Sequence, residues 1–155
     1  MNLESTTKLL EFQEGFRERP YLDTTGHVTI GYGDNLTAKY GDDLQSANER
    51  FPNGLSQSDA EISLKGVILA IASTLNTNLS FYSKLDDVRQ AVLISMCFNL
   101  GMKGLWDFKN TLDYIASHKF QLASMEMMKS KWAEQVPDRA NMLSKMMFMG
   151  TWPNI

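Results

Sequence analysis

Apolar residues recur along most of this chain at a helical period, and over one short segment they alternate instead. Leu3, Leu9, Leu10 and Phe12 predict a first amphipathic helix, opened by Asn2 or Ser5 as N-cap and ended by Gly15 in the C′ position, so that Glu14 is its last residue. From His27 to Gly33 the pattern has period two. Val28, Ile30 and Tyr32 fall on one face, with His27, Thr29, Gly31 and Gly33 on the other, as a strand requires. That second face is small enough for a ligand to approach. A polar stretch from Asp34 to Gly54 with few long apolar residues follows. Ser56 and Asp59 then fit a capping box that opens a long helix with the stripe Ala60, Leu64, Val67, Ile68, Ile71 and Leu75. Gly66 inside that helix suggests close packing or a bend. Later segments are all helical in pattern: Asp86 to Leu100 closed by Gly101, Phe108 to Ala116, Phe120 to Lys129, and a last helix with Pro137 in its first turn and Gly150 past its end. With no internal repeat and no low-complexity linker, the chain reads as α+β, mainly helical.

Composition narrows the class. At 155 residues and 43% hydrophobic content the chain can bury a good core and is short for two independently stable domains. The single Cys97 lies in a segment apolar nearly all round, so it reads as a small buried hydrophobe, and no disulfide can form within the chain. His27 and His118 lie far apart without a second Cys or His at ligand spacing, so no metal and no cofactor is expected. A formal charge of −3 with no dense basic cluster argues against nucleic acid and for weak steering toward any polyanion. The longest apolar run, Val67 to Ala72, is far too short to span a bilayer, and the first residues lack the apolar core of a signal peptide. Seven of the ten methionines fall between Met125 and Met149 and read as adaptable core filler rather than as a partner groove.

Candidate chemistry is concentrated near the N-terminus. Glu14 sits at the negative end of a helix macrodipole with Glu11 one turn back, and both effects favour the protonated acid. Asp23 opens a segment ending at Gly26 that suits a type I turn with partly wet backbone, so its carboxylate is expected to stay ionised. Two carboxylates of unlike setting beside the Thr29 hydroxyl suggest acid/base hydrolysis.

These residues resemble the lysozymes of T-even bacteriophages. The resemblance rests on the spacing of Glu14, Asp23 and Thr29 before Ile30 to Gly33, on the block from Leu85 to Gly101, and on Lys129 to Trp132 with Pro137 to Ala140 and Gly150 to Trp152. It implies a phage-lysozyme fold: residues 15–55 form a small strand-containing lobe, residues 1–14 and 56–155 a helical lobe, and Glu14 faces Asp23 across a cleft that takes a polysaccharide. It further implies hydrolysis of the β-1,4 bond between N-acetylmuramic acid and N-acetylglucosamine in peptidoglycan, with inversion. Glu14 would be the acid, Asp23 the anionic stabiliser or base, and Thr29 the holder of the water. The biological role implied is host lysis by a monomeric phage enzyme that stays in the bacterial cytoplasm until a separate holin gives it access to the wall.

Substrate contact is carried over to Phe98 and Thr111, with Asn99 and Trp132 in support. Arg139 falls beside the acid in the family, where a cation favours the ionised form; an ion pair holding two lobes together is an equal reading. Asp34, Asn35 and Glu126 depart from the family pattern, and the last two face the substrate by the same alignment. An Asp34–Lys65 pair is expected. A lytic transglycosylase or a non-catalytic wall-binding module are the alternatives. Retention of Glu14, Asp23 and Thr29 together argues against both, since neither needs the pair that positions water.

Overall fold

The computed structural model describes residues 1–155. By its internal contacts the chain divides into two units, Leu3–Leu69 and Met1–Asn2 with Ala70–Ile155. No helix is long and apolar enough to cross a membrane.

The first unit opens with helix α1, Leu3–Glu14, which puts Asn2 at the N-cap position and Gly15 just past the end at φ 69°. Gly15 donates its N–H to the Glu11 carbonyl at 3.0 Å, closing the last turn in the left-handed conformation that favours glycine. The buried face of α1 carries Thr6, Thr7, Leu9 and Leu10. Phe12, expected on that face, is 60% exposed. It stands roughly 200° round the helix from Leu10, too far to share one stripe.

Three strands follow, β1 (Arg17–Leu22), β2 (Val28–Gly31) and β3 (Asp34–Asn35), in an antiparallel sheet of order β1-β2-β3. Strand β2 is shorter than its alternating pattern, for Tyr32 and Gly33 already form a turn. Beneath the sheet Val28, Ile30, Leu36 and Ala47 form a small core, with Phe51 and Leu55 packed against it.

Half of that core comes from the polar stretch, which holds two short helices, α2 (Leu36–Tyr40) and α3 (Leu44–Arg50). Asn35 caps α2 by accepting from Ala38 N, and Asp43 caps α3 in a reciprocal pair with Ser46. Arg50 ties the end of α3 to the loop between the two helices, donating from Nε and Nη2 to the buried Asp42 carboxylate at 2.8 and 3.0 Å. This bidentate bond holds the Asp42 carboxyl below the usual carboxylate range.

Helix α2 also settles the partner of Asp34. Lys39, one turn into α2, reaches back to both Asp34 oxygens at 2.9 and 3.1 Å, and Ser63 Oγ lies 3.4 Å from the same carboxylate. The expected Asp34–Lys65 pair does not form. Lys65 instead takes Glu61, four residues back on its own helix, a spacing at which opposite charges meet without ordering a second element.

Helix α4, Gln57–Asn78, begins in the first unit and ends in the second. Ser56 accepts from Asp59 N at 3.1 Å and donates to its carboxylate at 2.7 Å, a variant of the expected capping box. Ala60, Leu64, Ile68 and Leu75 are buried along the stripe. Gly66 is not a close-packing residue: a Cβ built there meets nothing within 4 Å. Gly66→Ala is therefore expected to stabilise the protein by about 0.5 to 1 kcal/mol through the unfolded chain's lost freedom. Urea unfolding checks this, and a lower midpoint at constant slope would show that the position needs glycine.

The second unit is helical: α5 (Asp87–Trp106), α6 (Lys109–Ala116), α7 (Phe120–Met128), α8 (Lys131–Gln135) and α9 (Pro137–Met149), preceded by one 3₁₀ turn at Tyr82–Lys84. Helix α5 breaks at Gly101, where the pattern ends it, and resumes to Trp106. Ala91 to Cys97 are buried without interruption, and α7 packs on both α6 and α9. Arg89 ties α5 to the end of α9, donating to the carbonyls of Met147 and Phe148 at 2.8 and 2.9 Å. The methionines divide: Met127, Met146 and Met147 are core, whereas Met125 and Met149 are mostly exposed.

Candidate active site

Glu14, Asp23 and Thr29 all belong to the first unit, at the end of α1, just past the end of β1 and within β2. Glu14 is half-buried. One turn earlier, burial and the neighbouring Glu61 carboxylate raise the Glu11 pKa, against Lys65, Lys8 and a hydrogen bond with Tyr32.

Asp23 forms the expected turn. Gly26 N donates to the Asp23 carbonyl at 3.1 Å, and Asp23 N donates to the His27 carbonyl at 2.9 Å. One carboxylate oxygen is heavily engaged. Oδ1 accepts from Thr25 N at 2.8 Å, Thr25 Oγ1 at 2.7 Å and His27 N at 2.9 Å, while Oδ2 lies 3.9 Å from His27 Nδ1. Partial burial pushes the carboxyl pKa up, but the bonds from Thr25 and His27 outweigh it and hold the pKa below the usual carboxylate value. The side chain stays 32% exposed, so an ionised carboxylate of fixed direction remains open to a ligand.

Thr29 is only 4% exposed, and its hydroxyl lies 3.4 Å from the His27 carbonyl. Its strand is anchored on the opposite face by Val28 and Ile30. Thr25 and His27 stand out here without having been singled out as site residues. Their signal was an Asp followed two residues later by Thr, the pattern of an Asx turn.

Other residues carried over by resemblance serve several roles. Asn35 caps α2 through Oδ1 at 2.8 Å from Ala38 N. In the second unit Thr111 and Glu126 line one cavity of about 420 Å³ together with Phe108 and Lys129. Thr111 is buried, and Glu126 pairs with Lys129 at 2.8 Å, which raises the Lys129 pKa. Trp132, 4% exposed, donates from Nε1 to Asn99 Oδ1 at 2.7 Å and packs edge-on against Phe108. Phe98 on α5 and Arg139 on α9 are half-buried. Cys97 is buried, and burial pushes its thiol up to about 11, so it is no nucleophile.

A mainly helical α+β chain with one small antiparallel sheet, in which Glu14 ends the first helix, Asp23 follows β1 and Thr29 lies within β2, has the make-up of a lysozyme-type glycoside hydrolase, the class its family match gives. The chain belongs to the phage lysozyme family, whose model matches residues 11–144. Two relatives from Dictyostelium discoideum, "Probable T4-type lysozyme 1" and "Probable T4-type lysozyme 2", are 29% and 27% identical to it, each alignment covering 96% of both chains. The class of reaction is therefore lysozyme-type hydrolysis of peptidoglycan.

Proposed function

We propose that the protein cuts the β-1,4 bond between N-acetylmuramic acid and N-acetylglucosamine by direct attack of water, with inversion. Glu14, protonated, gives its proton to the glycosidic oxygen as the bond to the anomeric carbon breaks. Water held by Thr29 forms the new bond to that carbon and passes its proton to Asp23, whose charge also steadies the positive character of the sugar. Support comes above all from Asp23: its Oδ1 is engaged by three hydrogen bonds, which fixes the carboxylate while leaving it ionised. Inversion requires carboxyl groups roughly 6.5 to 9.5 Å apart, room enough for the water.

Phe98, Thr111, Asn35 and Glu126 are proposed to meet the glycan or its attached groups, with Asn99, Trp132 and Arg139 in support. The biological setting proposed is phage release, with the protein acting as a monomer and reaching the wall through a separate holin. Product analysis of digested peptidoglycan tests the chemistry. Reducing muramic ends are expected, and 1,6-anhydro ends would identify a transglycosylase that uses no water.

The pH profile offers a further check. Because Thr25 helps to hold the Asp23 pKa down, Thr25→Val should raise it and move the acid limb of activity to higher pH. The sign for stability is the same: a depressed carboxyl pKa contributes stability above the unfolded value that is lost as pH falls through the folded one, so the variant should lose part of that contribution. An acid limb that stays in place would remove Asp23 from the ionisation that limits the rate.

A further inference from the structure

Strand register places one more polar group with Asp23 and Thr29. Tyr21 on β1 is the direct cross-strand partner of Thr29 on β2, and Leu22 is the partner of Val28. Side chains alternate along strands and pair across them, so Tyr21 shares the face of Thr29 whereas Leu22 shares that of Val28. The backbone pairing continues to Asp23 and His27 through the 2.9 Å bond from Asp23 N, and this places Asp23 two residues beyond Tyr21 on the same side. The other face is committed to the core by Val28 and Ile30. A phenol, a carboxylate and a hydroxyl therefore share the face opposite that core, where Thr29 is buried and Tyr21 and Asp23 are half-buried.

The ring of Tyr21 is also held in place. Arg17, displaced by an irregularity in the β1 register, lies with its guanidinium 5.1 Å from the ring centroid. Burial makes the phenol harder to ionise, and the fields of Glu14 and Asp23 act in the same direction, against Arg17. The hydroxyl thus keeps its proton and lies where both candidate carboxylates are felt.

We propose that Tyr21 is a further catalytic residue of the hydrolysis described above: its hydroxyl donates a hydrogen bond to the attacking water, which Thr29 and Asp23 hold from the same sheet face. The inference rests on that reading of Glu14 and Asp23. As the water loses its proton to Asp23, oxygen gains negative character and the bond from Tyr21 strengthens, so the effect falls on the transition state more than on bound substrate.

Tyr21→Phe keeps the ring beneath Arg17 and deletes only the donor. On soluble peptidoglycan glycan fragments we expect kcat to fall about tenfold or more, the size of one hydrogen bond to a charged group, with KM and the melting temperature unchanged. Glu14→Gln is measured beside it. An inactive Glu14→Gln with a Tyr21→Phe that retains the parent kcat overturns the role of Tyr21 and leaves the hydrolysis reading intact. A raised KM at parent kcat also overturns it, since the ring would then serve only to bind. Parent activity in Glu14→Gln overturns both readings together.

Discussion

Glu14→Gln should lose wall-clearing activity by about 10² to 10⁴-fold, the range that general acid catalysis supplies. The amide keeps the size and shape of the side chain and has no proton to transfer. Its melting temperature should hold or rise, because the substitution removes a negative charge from the C-terminal end of α1, one turn after Glu11, whose own pKa is already raised by burial and Glu61. Turbidity clearing of purified walls with thermal unfolding of the same sample separates the two effects. Parent-level clearing by a folded variant would end the acid role of Glu14, and a clear fall in melting temperature would show that an ion pair dominates its surroundings.

Asp23→Asn should be impaired by roughly 100-fold or more, since an amide can neither take the proton of water nor balance charge on the sugar. The fold should survive, because an amide oxygen can still accept the bonds from Thr25 and His27 that Oδ1 accepts now. A folded Asp23→Asn variant with near-parent kcat would leave Asp23 as a turn former only.

Long, strongly periodic segments were legible in the sequence. The stripe from Ala60 to Leu75, the uninterrupted core run from Ala91 to Cys97 and the last helix between Pro137 and Gly150 each repeat their signal over several turns. The turn at Asp23 was legible for a different reason, since Asp and Gly at fixed offsets encode it locally. Helices α2, α3 and α8 were not, because helices of five to seven residues offer too short a window for a period and depend on caps and tertiary contacts. The partner of Asp34 is hidden in the sequence for the same reason. Without α2 there is no reason for Lys39 to fold back onto Asp34, and Lys65 looked like the available cation.

At the candidate site, residue identity and turn chemistry could be read from the chain, but cross-strand company could not. That Tyr21 stands opposite Thr29 follows from a register with an irregularity between Arg17 and Tyr21, and no local pattern announces such an irregularity. The distribution of methionines had the same limit. Composition shows that they gather after Met125, yet only packing decides that Met147 is core and Met149 is surface.

The central claim is that water attacks the anomeric carbon directly, with Asp23 as base and Glu14 as acid. Following the first turnovers on soluble peptidoglycan fragments by proton NMR, before mutarotation scrambles the ends, tests it most directly. Direct attack predicts that the new reducing end appears first as the α-anomer. A β-anomer formed first would mean a double displacement with Asp23 as nucleophile, and would take the water-holding role from Thr29.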